Sequence, residues 1–255
     1  GSAMLRGWLT TSDFQEGVWL VSPHRDTVEP FLHDARVRYF SEPTQISGTF
    51  DVIICALKPT LMASVLPAYE AFINASTIFM SVAAGKPLQA YISLLGHEGS
   101  IVRVMPNLPS AIGQGISLVV SERPLTPSQS VQVLMCLTPL GDVAFLENED
   151  MLDRAATLTG CGPAYVFRLV EALAHGAYTL GLSKDQSLSF AKKLVVGSAQ
   201  YMADSDVTPT QLRVNVTSPG GMTQAALKIL EEDGALDELF SKALKAAYDR
   251  SQEMK

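Results

Sequence analysis

Short apolar runs alternate with amphipathic stretches over the first 146 residues of the chain. The runs are rich in β-branched residues and nearly continuous in apolar character, which is typical of strands covered on both faces of a parallel sheet. The seven predicted strands are Val18–Ser22, Val37–Phe40, Asp51–Leu57, Thr77–Ala84, Ile101–Pro106, Ile116–Ser121 and Val143–Leu146. The helices predicted among them are Ser2–Leu9, Asp26–His33, Thr60–Phe72, Leu88–Leu95 and Pro127–Leu137. This alternation predicts a doubly wound α/β domain whose last two strands change direction.

After Leu146 the strand patterns stop, and helical spacing with Gly or Pro between the segments predicts an all-α second half. The predicted helices are Glu149–Thr159, Pro163–Leu180, Lys184–Met202, Pro209–Val214, Met222–Glu232 and Leu236–Ser251. Acidic residues at positions 147, 149 and 150 suit the start of the first of these helices. The pattern therefore predicts an α/β domain over residues 1–147 and a helical domain over residues 148–255.

Composition and charge narrow the classes of function. Hydrophobic residues make up 47% of the chain and charged residues 18%, which excludes disorder and leaves apolar surface that a second copy could cover. The net charge of −7 and the lack of a basic run argue against nucleic-acid binding, and every apolar stretch is far shorter than the ~20 residues that span a bilayer. The three cysteines and four histidines are scattered, so no metal site and no disulfide are predicted. With no secretion leader in the sequence, the protein is expected to be soluble and cytoplasmic.

The first residues look like the end of a dinucleotide-binding turn. Gly1, Ser2, Ala3 and Met4 lead directly into a predicted helix, which a strand follows. In a dinucleotide-binding unit, a strand and a Gly-x-Gly-x-x-Gly turn precede this helix, whose N-terminus holds the pyrophosphate. We expect that strand and the first part of the turn to be missing upstream of Gly1. The alternative is that Gly1 and Ser2 are a remnant of expression cloning.

The residues after the strand Val18–Ser22 bear on the choice of nicotinamide cofactor. In NAD-binding units an acidic residue about 20 positions after the glycine turn takes the ribose hydroxyls. This chain instead has Ser22 and Arg25 there, with no carboxylate before Asp26. Arg25 can pair with a 2′-phosphate, which favours NADPH. The alternative is an ordinary solvated arginine.

Further candidates for cofactor binding lie at the carboxyl ends of three later strands, at the edge where open α/β sheets bind ligands. They are Ala56, Leu57, Lys58, Pro59, Ala83 and Asn107. Lys58 either lies against the cofactor or is an ordinary surface lysine. Asn107 either binds near the nicotinamide or shapes the turn after Pro106.

The most specific motif is the segment Val216–Thr223, which reads VTSPGGMT and precedes a predicted helix. Two glycines and flanking hydroxyl groups leave several backbone N–H groups aimed at one point, which can bind a carboxylate or phosphate without a basic side chain. The alternative is an ordinary helix cap by Ser218 or Thr223. Because a cap needs only one such residue, we favour an anion site.

Taken together, these motifs resemble the pyrroline-5-carboxylate reductase family, and the resemblance spans essentially the whole chain. It is carried by Ala56–Pro59, Ser81–Gly85, Val102–Pro109, Gly160–Tyr165 and above all Leu212–Thr223. The resemblance implies that residues 1–147 form a Rossmann-type dinucleotide-binding domain. It also implies that residues 148–255 bind substrate and interlock two subunits into a homodimer or a higher homo-oligomer. The reaction it implies is hydride transfer from NADPH or NADH to 1-pyrroline-5-carboxylate, a cyclic imine, which gives L-proline.

The resemblance also implies roles for individual residues of the second half. The N–H groups around Ser218, Gly220 and Gly221 would hold the substrate carboxylate, and the Thr223 hydroxyl would take part in catalysis by hydrogen bonding to the ring nitrogen. Neither a metal nor a covalent nucleophile is needed, since the nicotinamide carries the chemistry.

Two departures from the family pattern bear on substrate preference rather than on the class of reaction. Leu108 and Met222 stand where members of the family often have threonine. The sequence leaves two alternatives open. One is a related imine or β-hydroxyacid reductase on the same two-domain plan, and the other is a non-catalytic dimeric relative.

Overall fold

A computed structural model describes residues 1–10, 17–96 and 98–254 of the chain. His97, one of the four scattered histidines, lies outside the described residues. The chain divides into two compact units. The first unit comprises Gly1–Cys161 and Tyr248–Lys255, and the second unit comprises Gly162–Ala247.

All seven predicted strands are confirmed, within two residues at most ends. They are β1 (Val18–Val21), β2 (Val37–Phe40), β3 (Val52–Cys55), β4 (Ile78–Ser81), β5 (Ser100–Met105), β6 (Gly115–Ser121) and β7 (Gly141–Phe145). Strands β1 and β2 pair in parallel, and a second sheet has the order β3-β4-β5-β6-β7. Within it β6 runs antiparallel to β5 and β7 runs parallel to β6, so the predicted change of direction is confirmed. The strand expected upstream of Gly1 stays a prediction.

The α-helices of the first unit cover both faces of the sheet, as a doubly wound domain requires. They are α1 (Ser2–Thr10), α2 (Met62–Val65), α3 (Leu88–Leu95), α4 (Pro127–Leu137) and α5 (Glu149–Thr159). On β4, Ile78 and Met80 belong to one buried cluster with side chains of α1 and α4. Phe79 between them belongs to the other cluster, with side chains of α2 and α3. The strand is thus buried on both faces, as its continuous apolar run predicts.

Two predicted helices are wrong in part, and proline explains both. The helix predicted over Asp26–His33 is instead a pair of 3₁₀ turns, Arg25–Thr27 and Glu29–Phe31. Pro30 has no N–H to donate to the preceding turn and disfavours helical backbone at Glu29, so a continuous helix cannot form. Over Thr60–Phe72 only α2 is α-helical, and the stretch around Pro67 is 3₁₀.

The compact units divide after Cys161, although the sequence pattern changes near residue 147. The reason is a buried ion-pair network that ties α5 to β5. Arg103, which is 4% exposed, donates from its two terminal nitrogens to Glu149 Oε1 at 3.0 Å and to Asp153 Oδ1 at 2.7 Å. Glu149 Oε1 also accepts from the backbone N of Leu88 at 3.0 Å. Helix α5 therefore belongs with the sheet, although it lies in the helical part of the sequence.

The second unit is helical, as predicted. Its helices are α6 (Gly162–Thr179), α7 (Lys184–Ala203), α8 (Pro209–Asn215), α9 (Met222–Glu231) and α10 (Ala235–Glu253), whose last turns belong to the first unit. Ser183 caps α7 and Thr208 caps α8 through their side-chain oxygens. Among the described residues, no helix combines the length and the apolar character needed to cross a membrane.

Candidate cofactor and substrate sites

The N-terminus of α1 lies beside the carboxyl end of β3. The backbone N of Leu5 donates to the Gly1 carbonyl at 3.0 Å, so the helical pattern begins with the first residues. The amides of Ser2, Ala3 and Met4 have no acceptor within the described residues. A Cβ placed on Gly1 would lie 3.4 Å from the Cβ of Ala56. Unpaired N–H groups at a helix start beside a strand end form a geometry that holds a phosphate group.

Arg25 stands at the carboxyl end of β1, where the sequence places a 2′-phosphate ligand. Its Nε donates to Glu29 Oε2 at 2.9 Å, and its Cζ lies 5.4 Å from the centre of the Tyr39 ring. The Tyr39 hydroxyl in turn donates to the Ser22 carbonyl at 2.9 Å, and Ser22 Oγ accepts from the His24 amide at 3.2 Å. Glu29 and Tyr39 therefore orient the Arg25 side chain, which distinguishes it from an isolated solvated arginine.

The candidates after β3 and β4 share one edge, because these two strands are parallel neighbours. Lys58 is exposed, and its amine has no partner among the residues described. Leu57 packs in part against the core and Ala83 is buried, so their backbones rather than their side chains border the edge. Pro59 begins a 3₁₀ turn that leads away from the strand.

Cys55 and Tyr91 lie beneath this edge and are held in neutral form. Ser81 Oγ donates to the Tyr91 hydroxyl oxygen at 2.7 Å. Burial raises the pKa of the Cys55 thiol and of the Tyr91 hydroxyl, so both stay protonated at neutral pH.

Asn107 shapes the turn after β5. Its Oδ1 accepts from the Ile116 amide at 3.0 Å, and its Nδ2 donates to the Thr159 carbonyl at 3.1 Å. The side chain therefore shapes the turn, and its binding near the nicotinamide stays a prediction. Nδ2 carries a second hydrogen, so a hydrogen bond from it to a nicotinamide carbonyl does not require either of these bonds to open.

The segment between α8 and α9 forms a tight turn followed directly by the N-terminus of α9. The Gly221 amide donates to the Ser218 carbonyl at 3.0 Å, with Pro219 and Gly220 as the central residues. Gly220 has a φ of +73°, which a type II turn requires at this position and which favours glycine. A Cβ on Gly221 would lie 3.1 Å from the Ser218 carbonyl oxygen, so the second glycine permits a close approach.

This geometry corrects the set of amide donors expected from the sequence. The Gly221 amide is used within the turn, and the Gly220 amide donates to the side-chain Oε1 of Gln224 at 2.7 Å. The amides of Ser218, Met222, Thr223 and Gln224 have no acceptor among the described residues. The donors available to an anion therefore lie mainly in the first turn of α9. The Thr223 hydroxyl is exposed and has no partner in the described part of the chain.

Sequence reasoning missed Gln224 and the groove of about 580 Å³ that it lines with α8 and α9 residues. Arg213 of α8 forms an ion pair with Glu231 of α9 on the wall of this groove. Thr217 Oγ1 donates to the Arg213 carbonyl at 2.6 Å and fixes the end of α8. Gln224 is the third residue of α9, and a glutamine at that position is a known capping signal. The sequence could therefore have indicated that the Gln224 side chain binds a backbone amide at the start of this helix.

Comparison with known proteins identifies the family. Residues 149–254 match a family model described as pyrroline-5-carboxylate reductase dimerisation. Pyrroline-5-carboxylate reductase of Escherichia coli is 31% identical over 235 residues, which cover 92% of this chain and 87% of that protein. This chain belongs to the pyrroline-5-carboxylate reductase family. The enzyme of that name from Methanosarcina acetivorans is 30% identical over 262 residues, covering all of this chain and 94% of the relative.

Solved structures of pyrroline-5-carboxylate reductases share the fold. The structure from Coxiella burnetii superposes with a TM-score of 0.92 at 29% identity, covering all of this chain and 94% of the other. The pyrroline carboxylate reductase of Plasmodium falciparum, solved with NADP bound, gives a TM-score of 0.81 at 27% identity over the same shares. The Rossmann-type first domain and the helical second domain expected from the sequence are thereby confirmed.

Within the described residues, no group of three or more His, Cys, Asp or Glu side chains is placed to hold a metal ion.

Proposed function

We propose that this chain reduces 1-pyrroline-5-carboxylate to L-proline with NADPH or NADH, which is the last step of proline biosynthesis. The observation that carries the proposal is the turn at Ser218–Gly221, which leads into a helix start with unpaired amides, in a chain of this family. Relatives that bear the name of this enzyme come from bacteria, an archaeon and a plant. One structural neighbour has NADP bound.

The first unit offers the groups that a nicotinamide cofactor needs. When bound, the cofactor supplies the hydride. The unpaired amides of Ser2, Ala3 and Met4 at the start of α1 would hold its pyrophosphate, since a helix N-terminus favours negative charge. Ser22 and Arg25 would hold the adenosine ribose and its 2′-phosphate. The other proposed cofactor residues lie at the carboxyl ends of β3, β4 and β5, or beside them in the case of Gly1. They are Gly1, Ala56, Leu57, Lys58, Pro59, Ala83 and Asn107.

The second unit offers a site for the substrate. Its single carboxylate would lie at the N-terminus of α9, where amide hydrogens and the helix dipole replace a basic side chain. Ser218, Gly220, Gly221 and Thr223 would form this site, with the Gly220 amide becoming available when the Gln224 side chain releases it. The Thr223 hydroxyl would hydrogen-bond to the ring nitrogen.

In this reaction the protein must orient the substrate and the cofactor, and it needs no nucleophilic side chain. The hydride adds to the carbon of the C=N bond, and the nitrogen must carry a proton for this attack. The segment Val216–Thr223 contains neither a carboxylic acid nor a histidine. Water, or substrate that is already protonated, would therefore supply this proton. The rate would come from holding the imine carbon in an attack geometry.

We further propose that the protein works as a homodimer. Helices α6, α8, α9 and α10 contain no buried residue, although they carry many large apolar side chains. Ile229 and Met222 of α9, for example, are 67% and 92% exposed. Monomeric proteins rarely expose so much apolar surface, and the family model matched here describes dimerisation. Sedimentation velocity should give the mass of two chains or a multiple of it, and a single-chain mass would contradict the proposal.

A biosynthetic enzyme that uses NADPH is expected in the cytoplasm, and we propose that location. All three cysteines are free thiols in the structure, as in proteins of a reducing compartment.

The direct test is oxidation of NADPH by the protein with 1-pyrroline-5-carboxylate, with an unrelated imine as control and proline measured as product. We expect oxidation that depends on the substrate and yields an equal amount of proline. Oxidation with another cyclic imine or a β-keto acid, but not with this substrate, would indicate a related reductase. No oxidation with any of them would favour the non-catalytic dimeric relative.

A further inference from the structure

We propose that Glu29 sets the balance between NADPH and NADH by sharing the Arg25 guanidinium with the 2′-phosphate. This inference rests on the proposed function, because it assumes that the adenosine half of the cofactor binds at the carboxyl end of β1.

The guanidinium of Arg25 contacts Glu29 through Nε and the Tyr39 ring through one face, and its two terminal nitrogens hydrogen-bond to neither residue. Its Nε donates to Glu29 Oε2 at 2.9 Å, and one face lies over the Tyr39 ring. The two terminal nitrogens have no partner among the described residues. These nitrogens form the planar fork that binds phosphate through two parallel hydrogen bonds.

The local backbone fixes this arrangement. Arg25 and Glu29 lie in consecutive 3₁₀ turns, and the Val28 amide donates to the Arg25 carbonyl at 2.9 Å. Thr27 Oγ1 donates to the His24 carbonyl at 2.7 Å and holds the first turn. These two turns hold the carboxylate next to the guanidinium, at the end of β1.

Glu29 has two opposing effects on a phosphate bound to Arg25. It orients the guanidinium, but it also places a negative charge beside a ligand that carries nearly two negative charges near neutral pH. Arg25 and Glu29 are 61% and 58% exposed, so the orienting effect of their ion pair is small. Solvent screens the repulsion too, but at equal distance a phosphate with nearly two negative charges interacts with the carboxylate about twice as strongly as a single charge does. Repulsion is therefore the larger effect for NADPH, while NADH, which lacks the phosphate, is unaffected. Glu29 thus weakens the preference for NADPH that Arg25 creates.

The test compares the binding of 2′,5′-ADP and 5′-AMP by calorimetry, which requires no substrate turnover. Glu29→Gln keeps a carbonyl oxygen for Arg25 Nε and removes only the charge. We expect it to tighten 2′,5′-ADP about 3- to 10-fold and leave 5′-AMP unchanged. Arg25→Gln should weaken 2′,5′-ADP about 10-fold or more through loss of a charge-assisted bond.

Glu238→Gln is the matched control. Glu238 also pairs with a cation four residues on, Lys242, at 2.7 Å on an exposed helix of the second unit. This variant changes the net charge equally and should alter neither affinity. The proposal is overturned if wild type does not distinguish the two nucleotides, if Glu29→Gln leaves or weakens the affinity for 2′,5′-ADP, or if Glu238→Gln has the same effect. Nucleotide discrimination without reduction of the imine would instead count against the proposed function alone.

Discussion

Replacing Thr223 with valine should lower kcat/KM for 1-pyrroline-5-carboxylate about 10- to 100-fold, the usual cost of losing a hydrogen bond to a charged group. Valine keeps the shape of threonine and removes only the hydroxyl. That hydroxyl is exposed and makes no bond within the described residues, so the change removes no capping bond from α9. The loss should therefore appear in steady-state kinetics at saturating NADPH, with the melting temperature unchanged.

Thr223→Ser supplies the control, because it retains the hydroxyl and should keep most of the activity. If the valine variant is as active as wild type, Thr223 has no role in the reaction. If both variants lose activity equally, the loss comes from packing of the first turn of α9 rather than from the hydrogen bond.

Replacing Arg103 with methionine should lower the free energy of unfolding by about 3–5 kcal/mol, the range for breaking a buried ion pair by removing one partner. Asp153 is as deeply buried as Arg103, and Glu149 is mostly buried. Without the guanidinium, both carboxylates would lose their cationic partner, and the two hydrogen bonds that join α5 to β5 through Arg103 would be lost. Urea unfolding followed by tryptophan fluorescence measures the effect.

A triple variant that removes the charges of Arg103, Glu149 and Asp153 separates the electrostatic part of the stability loss from the part due to packing. Adding Glu149→Gln and Asp153→Asn to the methionine variant should recover part of the lost stability, since neither side chain then carries a charge that the guanidinium had balanced. A loss below about 1 kcal/mol in the single variant would show that the network is no stronger than a surface ion pair.

Sequence patterns were sufficient for the strands and most helices of this protein. Each strand is a continuous apolar run because both faces of the sheet are covered, as Ile78, Phe79 and Met80 illustrate. The error at Asp26–His33 came from apolar spacing that looked helical, although Pro30 prevents a continuous helix. The position of α5 could not be predicted, because Arg103 and Asp153 are fifty residues apart in sequence.

The turn at the candidate site was predicted, but the hydrogen bonds of its amides were not. The VTSPGG segment indicated an anion-binding turn, yet its sequence does not show which amides the turn itself consumes. Whether the Gly220 amide is available to an anion depends on the position of the Gln224 side chain. The support that Tyr39 gives to Arg25 also comes from a neighbouring strand, so no local pattern around Arg25 could reveal it.

The central claim is that a hydride passes from the nicotinamide to the imine carbon of 1-pyrroline-5-carboxylate. The most direct measurement uses NADPH that carries deuterium at its transferable position and analyses the product by mass spectrometry. The account predicts L-proline with a single deuterium on the carbon that was part of the C=N bond. Proline without deuterium at that carbon, or oxidised cofactor without proline, would contradict it.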